Sequence, residues 1–273
     1  MAKIPMLTLN DGYKIPQIGL GLWQIKNPKE FKQAFEESVK AGYRHFDTAQ
    51  FYANEGMLGD AWTASSLKRE DIYITTKINL SNFGKGRTLK STNESLEKLK
   101  TDYIDLLLLH FPVTGLRKGS WLALEELQKE GKVHSIGVSN YTIRHLEDMK
   151  KYARVVPAVN QVELHVFLQQ PELLKYCKDN GIVVEAYSPL AHATDMKDST
   201  VKMIAKKYNK TYAQIMLRWC IENDLVVLPK SVTPERIKEN ISIFDFSLDS
   251  GDIKQIKAID RNGRTTWDPT LVP

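Results

Sequence analysis

Eight short β-branched or leucine-rich runs recur along the chain, starting near Gly19, Arg44, Ile72, Tyr103, Val133, Ala158, Ile182 and Leu225. Their mean spacing is about 29 residues, close to the roughly 30 that a strand–helix–strand unit takes counting both strands. Amphipathic stretches fill the gaps, among them Phe31–Ala41, Thr92–Leu99, Trp121–Gln128 and Pro171–Lys178. The last long gap holds two, Thr200–Tyr208 and Tyr212–Asn223. Eight such units strung without a linker predict an α/β fold, a closed (β/α)₈ TIM barrel. The runner-up, a doubly wound open sheet, usually has fewer strands and a different glycine signature. Ahead of the repeat, Asn10-Asp11-Gly12 between Leu7-Thr8-Leu9 and Tyr13-Lys14-Ile15 predicts an N-terminal β-hairpin. No Pro/Ser-rich linker, charge block or low-complexity stretch divides residues 1–273, so a single domain is expected.

Charge and cysteine usage narrow the partners. The 38 basic and 33 acidic residues leave +5, spread along the chain, whereas nucleic-acid binding wants a concentrated basic stripe. The longest apolar strings, such as Leu106–Leu109, fall far short of the ~20 residues of a membrane span. Met1-Ala2-Lys3-Ile4-Pro5-Met6 lacks the apolar core of a secretory signal, so a cytoplasmic location is expected. Cys177 and Cys220 are too few for a disulfide framework and read as buried small hydrophobes in helices. The six histidines include no HExxH-type pair, so no metal is expected.

In a barrel of this kind the site lies where the strands end in sequence. Here the runs end in His45-Phe46-Asp47, Thr76-Lys77, Leu109-His110, Ser139-Asn140, Gln161-Val162-Glu163, Tyr187-Ser188 and Lys230-Ser231. Asp47, Lys77 and His110 become neighbours if their strands are adjacent, and Tyr52 follows in the loop after Asp47. A phenol is a poor acid at neutral pH, and a nearby ammonium lowers its pKa while an aspartate keeps that ammonium charged. Such a group could donate a proton as negative charge builds on a carbonyl oxygen.

These residues sit within Gly42-Tyr43-Arg44-His45-Phe46-Asp47-Thr48-Ala49, Tyr52-Ala53-Asn54-Glu55, Leu109-His110-Phe111-Pro112 and Ile136-Gly137-Val138-Ser139-Asn140. Asn160-Gln161-Val162-Glu163, Tyr187-Ser188-Pro189-Leu190 and Pro229-Lys230-Ser231-Val232 follow in order. With this set the chain resembles the aldo-keto reductases, in particular small microbial members similar to 2,5-diketo-gluconate and methylglyoxal reductases. The similarity runs from about Leu7 to Asn240. The resemblance implies NADPH-dependent reduction of aldehydes and ketones, with Tyr52 as proton donor, Lys77 and Asp47 lowering its pKa, and His110 orienting the carbonyl. It assigns Ser139, Asn140 and Gln161 to the carboxamide of NADPH/NADP+, Tyr187 to its ring, and Ser188 and Leu190 to its pyrophosphate. Lys230, Ser231, Val232, Arg236, Glu239 and Asn240 would meet the adenosine end, where Lys230 and Arg236 suit a 2′-phosphate. A helix opening within Ser231–Arg236 would add backbone N–H groups there. Family members are often monomers, and a monomer taking a small-molecule carbonyl substrate is the expectation.

The family often has Gly after the tyrosine and Trp after the histidine; this chain has Ala53 and Phe111. Trp23, Phe111 and Trp267 are the expected aromatic walls of the substrate pocket. Two other functions compete: a Schiff-base aldolase using Lys77, and a non-catalytic NADPH-binding sensor. Gly19-Leu20-Gly21 lacks the third glycine of a dinucleotide fingerprint. Gly84-Lys85-Gly86-Arg87 lacks Walker spacing and reads as a flexible loop, and His165 as a strand-end packing or surface residue.

Overall fold

The computed structural model describes residues 4–193 and 198–273, so Met1–Lys3 of the N-terminal stretch read above lie outside it. Two short strands, β1 (Met6–Thr8) and β2 (Lys14–Pro16), form the hairpin, with Leu7 opposite Ile15. Eight parallel strands follow: β3 (Leu20–Gly21), β4 (His45–Asp47), β5 (Tyr73–Ile78), β6 (Ile104–Leu109), β7 (Val133–Ser139), β8 (Val159–Glu163), β9 (Val183–Tyr187) and β10 (Val226–Leu228). They are neighbours in sequence order. The ring closes where Ile18 bridges Val227 and the Gly21 N–H donates to the Pro229 carbonyl.

The strand register sorts side chains into two sets. One face packs outward under the helices, as Phe46, Ile74, Leu107, Leu109, Ile136 and Val184 do within the larger core. The other face points inward, and near its N-terminal end Tyr73, Leu106, Leu108, Val159 and Val226 form a second apolar cluster with Leu9 and Ile15 of the hairpin. The hairpin therefore plugs the bottom of the barrel, leaving the opposite mouth for polar groups. Lys77, Gln161 and Glu185 belong to this inward set, since Gln161 is in register with Glu185 and Glu185 with Val226.

Around the ring lie α1 (Pro28–Ala41), α2 (Glu55–Thr63), α3 (Lys85–Leu99), α4 (Arg117–Lys129), α5 (Ile143–Met149), α6 (Pro171–Asp179), α7 (Ser199–Tyr208), α8 (Tyr212–Glu222), α9 (Pro234–Ile241) and α10 (Ser250–Lys257). The helix α1 shows how the chain sets such boundaries: the Asn27 side chain accepts from the Lys29 and Glu30 N–H groups, Pro28 opens the helix, and Gly42 at φ 110° ends it.

One expectation is corrected. Gly84-Lys85-Gly86-Arg87 is the ordered start of α3: Gly84 caps it at φ 104°, its N–H donates to Ser120 Oγ, and Arg87 bonds back to the Phe83 carbonyl. Of the two alternatives for His165, the structure shows packing at the strand end: it is fully buried beside Glu163. The helix α9 begins at Pro234, inside the expected Ser231–Arg236 window, because proline is well suited to a first helical position, and Ser231 stays in the preceding loop. Cys177 and Cys220 are buried and free, as expected. No helix among the described residues is long and apolar enough to cross a membrane.

Candidate active site

Asp47 ends β4, Lys77 lies near the end of β5, and His110 immediately follows β6. Tyr52 sits on a single helical turn, Gln50–Tyr52, whose position is fixed from both sides. Gln50 donates to the Ser91 carbonyl and Ser95 Oγ, and accepts from the Asn79 N–H and Asn82 Nδ2. Buried Asn54 accepts from Thr48 Oγ1 at 2.6 Å and donates to the Leu22 and Ile25 carbonyls. Between these clamps Ala53 takes φ 56°, a left-handed conformation that glycine adopts without its Cβ penalty.

The Lys77 ammonium is wholly buried and donates to three acceptors: Asp47 Oδ1 at 2.7 Å, the Thr48 carbonyl at 2.9 Å and Tyr52 Oη at 3.1 Å. Because Lys77 donates to the phenol oxygen, the phenol's own hydrogen is free to point elsewhere, towards the cavity beside it. Burial alone would lower the Lys77 pKa, but Asp47 and Tyr52 outweigh it and hold the ammonium above its ordinary value. A lysine so held, with every hydrogen engaged, cannot serve as the neutral amine a Schiff base requires.

Lys77 pulls the Tyr52 pKa down, as expected, but burial is the larger effect and leaves it raised; Asp47 adds to the rise, and so does Glu185 whenever it is charged. The paired aspartate cancels much of the cation's field, so the phenol stays protonated. Burial also raises Asp47, with Lys77 and Gln161 pulling against it. His110 is pushed down to about 3 by burial and by Lys77, so its imidazole is neutral, and its Nδ1 is buried without a hydrogen-bond partner among the described residues.

A cavity of about 410 Å³ opens above this group. Asp47, Tyr52 and His110 line its floor, with Trp23 and Trp267 on its walls. Ser139, Asn140 and Gln161 form one side, and Tyr187, Ser188, Leu190 and Lys230 another. Asn140 accepts from Tyr187 Oη at 2.7 Å and donates to the His110 carbonyl and Ser139 Oγ. The flat Tyr187 ring, the hydroxyl of Ser139 and the amides of Asn140 and Gln161 are a donor and acceptor set that fits an aromatic carboxamide, and exposed Lys230 suits a phosphate.

The remaining expected residues lie apart from this cavity. Ser231, Val232, Arg236, Glu239 and Asn240 run along the loop before α9 and α9 itself; Arg236 is exposed, Asn240 is buried, and Glu239 accepts from Thr211 Oγ1 at 2.8 Å. Phe111 does not line the cavity either. Nor is Phe51 among the lining residues, but its ring packs on three that are, stacked 5.6 Å from Trp23 and edge-on to His110 and Trp267 at 6.2 Å each. No cluster of His, Cys, Asp and Glu among the described residues could hold a metal ion.

Residues 17–261 match the aldo/keto reductase family. The chain belongs to that family. Among aldo/keto reductases it is 41% identical to the glyoxal reductase of Bacillus subtilis, over 96% of this chain and 95% of that protein. It is 41% identical to the methylglyoxal reductase DkgA of Escherichia coli O157:H7, over 98% of both. A crystal structure of a mutant of Gox0644 in complex with NADPH superposes with a TM-score of 0.94 at 38% identity, covering all of both chains.

Two carboxylates at this aldo/keto reductase site carried no role in the sequence reading. Glu163 ends β8 and accepts from the N–H and hydroxyl of both Thr265 and Thr266, so it anchors the segment that carries Trp267. Glu185 lies inside β9, beneath Gln161. The signal that finds them is the two-residue period: Gln161 and Glu163 share one strand face, as Glu185 and Tyr187 do.

Proposed function

We propose that the protein reduces small aldehydes, ketones and 2-oxoaldehydes to alcohols, with Tyr52 giving the proton and NADPH bound along the cavity. The observation that carries this reading is the chain Asp47–Lys77–Tyr52 beside neutral His110 on the floor of one cavity. NADPH supplies the hydride when bound. Ser139, Asn140 and Gln161 would hold its carboxamide and Tyr187 its ring; Lys230 and Arg236 would meet its 2′-phosphate, Arg236 through a bidentate contact.

His110, neutral and able to donate one hydrogen bond, orients the carbonyl oxygen. Tyr52 then transfers its proton to that oxygen, and Lys77 stabilises the phenolate left behind at 3.1 Å. Asp47 keeps the ammonium charged and its direction fixed. Trp23 and Trp267, which line the cavity, give the substrate its apolar walls. The small cavity and the names of the glyoxal and methylglyoxal reductase relatives favour short substrates.

The test follows NADPH absorbance with a panel of short aldehydes and 2-oxoaldehydes. Tyr52→Phe should lower kcat by ~10²–10⁴-fold, the usual range for a positioned acid, while NADPH binding by fluorescence persists. Wild type that binds NADPH without turnover would instead favour a sensor.

A further inference from the structure

Glu185 is wholly buried in the barrel, one layer below the proposed proton donor. Gln161 Nε2 donates to Glu185 Oε2 at 2.7 Å and to Asp47 Oδ2 at 2.8 Å, so one amide nitrogen spends its two hydrogens on two carboxyl groups. The remaining oxygen, Glu185 Oε1, has no hydrogen-bond donor among the described residues; its nearest basic neighbour is His45 Nε2 at 3.5 Å. His45 in turn lies 2.9 Å from Thr75 Oγ1 and is held neutral by burial, its pKa pushed down to about 3.

The charge balance of this layer decides which carboxyl is ionised. The titratable groups facing Glu185 are His45 and Asp47 from β4, Tyr73 and Lys77 from β5, and Tyr52 from its loop. Lys77 is the one charged cation among them, and Asp47 holds it at 2.7 Å. A second carboxylate would leave a net negative charge inside the barrel, with one of its oxygens bare, a cost that a proton on Glu185 removes.

We propose that Glu185, kept as the neutral acid, is a positioning residue: through Gln161 it leaves Asp47 as the only carboxylate paired with Lys77 and so sets the acidity of Tyr52. This rests on the reductase reading of the site. Burial and the neighbouring Asp47 raise Glu185 to about 8, so its proton is lost just above neutral pH. The charge that then appears adds to Asp47, raises Tyr52 further and makes it a weaker acid. The same charge pulls on the Gln161 amide whose carbonyl oxygen is left to meet a ligand.

The experiment compares wild type, Glu185→Gln and Glu185→Leu. Infrared spectra of the cofactor-free protein should show a protonated-carboxyl C=O band that disappears as pH rises through about 8 and is missing in E185Q. The kcat for carbonyl reduction should fall through the same window in wild type, and that inflection should vanish in E185Q. E185L, which gives Gln161 no acceptor, should lower kcat at least tenfold at neutral pH, and E185Q should recover most of the loss. A band that ionises well below neutral pH, or an inflection that survives in E185Q, overturns the proposal. Absence of turnover in wild type would count against the reductase reading alone, because the infrared titration still decides the state of Glu185.

Discussion

Replacing Glu163 with Gln tests how the segment bearing Trp267 is held. Oε1 of Glu163 accepts from the Thr265 N–H and hydroxyl at 2.6 Å each, and Oε2 accepts from the Thr266 N–H at 3.1 Å and hydroxyl at 2.5 Å. Burial alone would raise this carboxyl, but bonds from His165, Thr265 and Thr266 hold it down at about 2. Against the usual value of 4.5 that is ~3 kcal/mol of preference for the ionised form, at about 1.4 kcal/mol per unit. A Gln side chain keeps only one acceptor oxygen, so either the Thr265 or the Thr266 N–H must face an NH₂ group. Glu163→Gln should therefore loosen this attachment by ~2–3 kcal/mol, read as ~30- to 150-fold faster amide exchange at Thr265 and Thr266. The sign with pH follows from the lowered value: the attachment is at full strength above about 4.5 and weakens as pH falls towards about 2. In wild type, exchange corrected for its intrinsic pH dependence should accelerate over that window, and in Glu163→Gln it should not. Exchange in the variant within about threefold of wild type at neutral pH would refute the anchoring argument, since ~0.6 kcal/mol is what one weak neutral contact gives.

Lys77→Met leaves Asp47 buried without its cation and should cost ~3–5 kcal/mol in urea unfolding at neutral pH, less in acid where Asp47 takes up a proton. Gly59→Ala puts a Cβ 2.2 Å from the Lys98 carbonyl oxygen at the α2–α3 contact and should cost ~1–3 kcal/mol, whereas Gly56→Ala meets nothing within 4 Å and should stabilise by ~0.5–1 kcal/mol; thermal melts of the pair separate packing from propensity. Arg236→Ala should raise KM for NADPH by about tenfold with little change for NADH, a gap that narrows at high salt.

The strands were legible because each is a short buried run bounded by polar residues, and all eight begin within about one residue of where the sequence places them. The helix α2 was less visible, since Gly56 and Gly59 interrupt its apolar pattern; Gly59 is there to let α3 approach, a tertiary requirement no local rule contains. Asp47, Tyr52, Lys77 and His110 could be read because strand ends meet in a barrel. Phe51 was missed although it adjoins Tyr52, because exposure of a large ring at a pocket rim depends on the loop clamps set by Gln50 and Asn54. The direction of the Tyr52 shift was misread for a different reason: pairing can be inferred from residue types, but the depth of burial that competes with it cannot.

The inward face of each strand changes character along its length, and that gradient ties the site to the fold. On β5 the inward residues run Tyr73, Thr75, Lys77; on β8 they run Val159, Gln161, Glu163; on β9, Val183, Glu185, Tyr187. The apolar members pack on the hairpin plug, and the polar members meet one another at the mouth. A slip of one residue in β5 would drive Lys77 outward against the helices and bring Ile74 and Ile78 into the polar layer. Burying an unpaired ammonium costs several kcal/mol, so the Asp47–Lys77 pair excludes that register as firmly as the hydrophobic pattern does. Hence the groups that make the candidate site costly to bury also restrict the barrel to one strand alignment. A variant with Asp47, Lys77, Gln161 and Glu185 replaced together by apolar residues should lose activity and also broaden its unfolding transition, because it removes both the buried ion pair and its penalty on the wrong register.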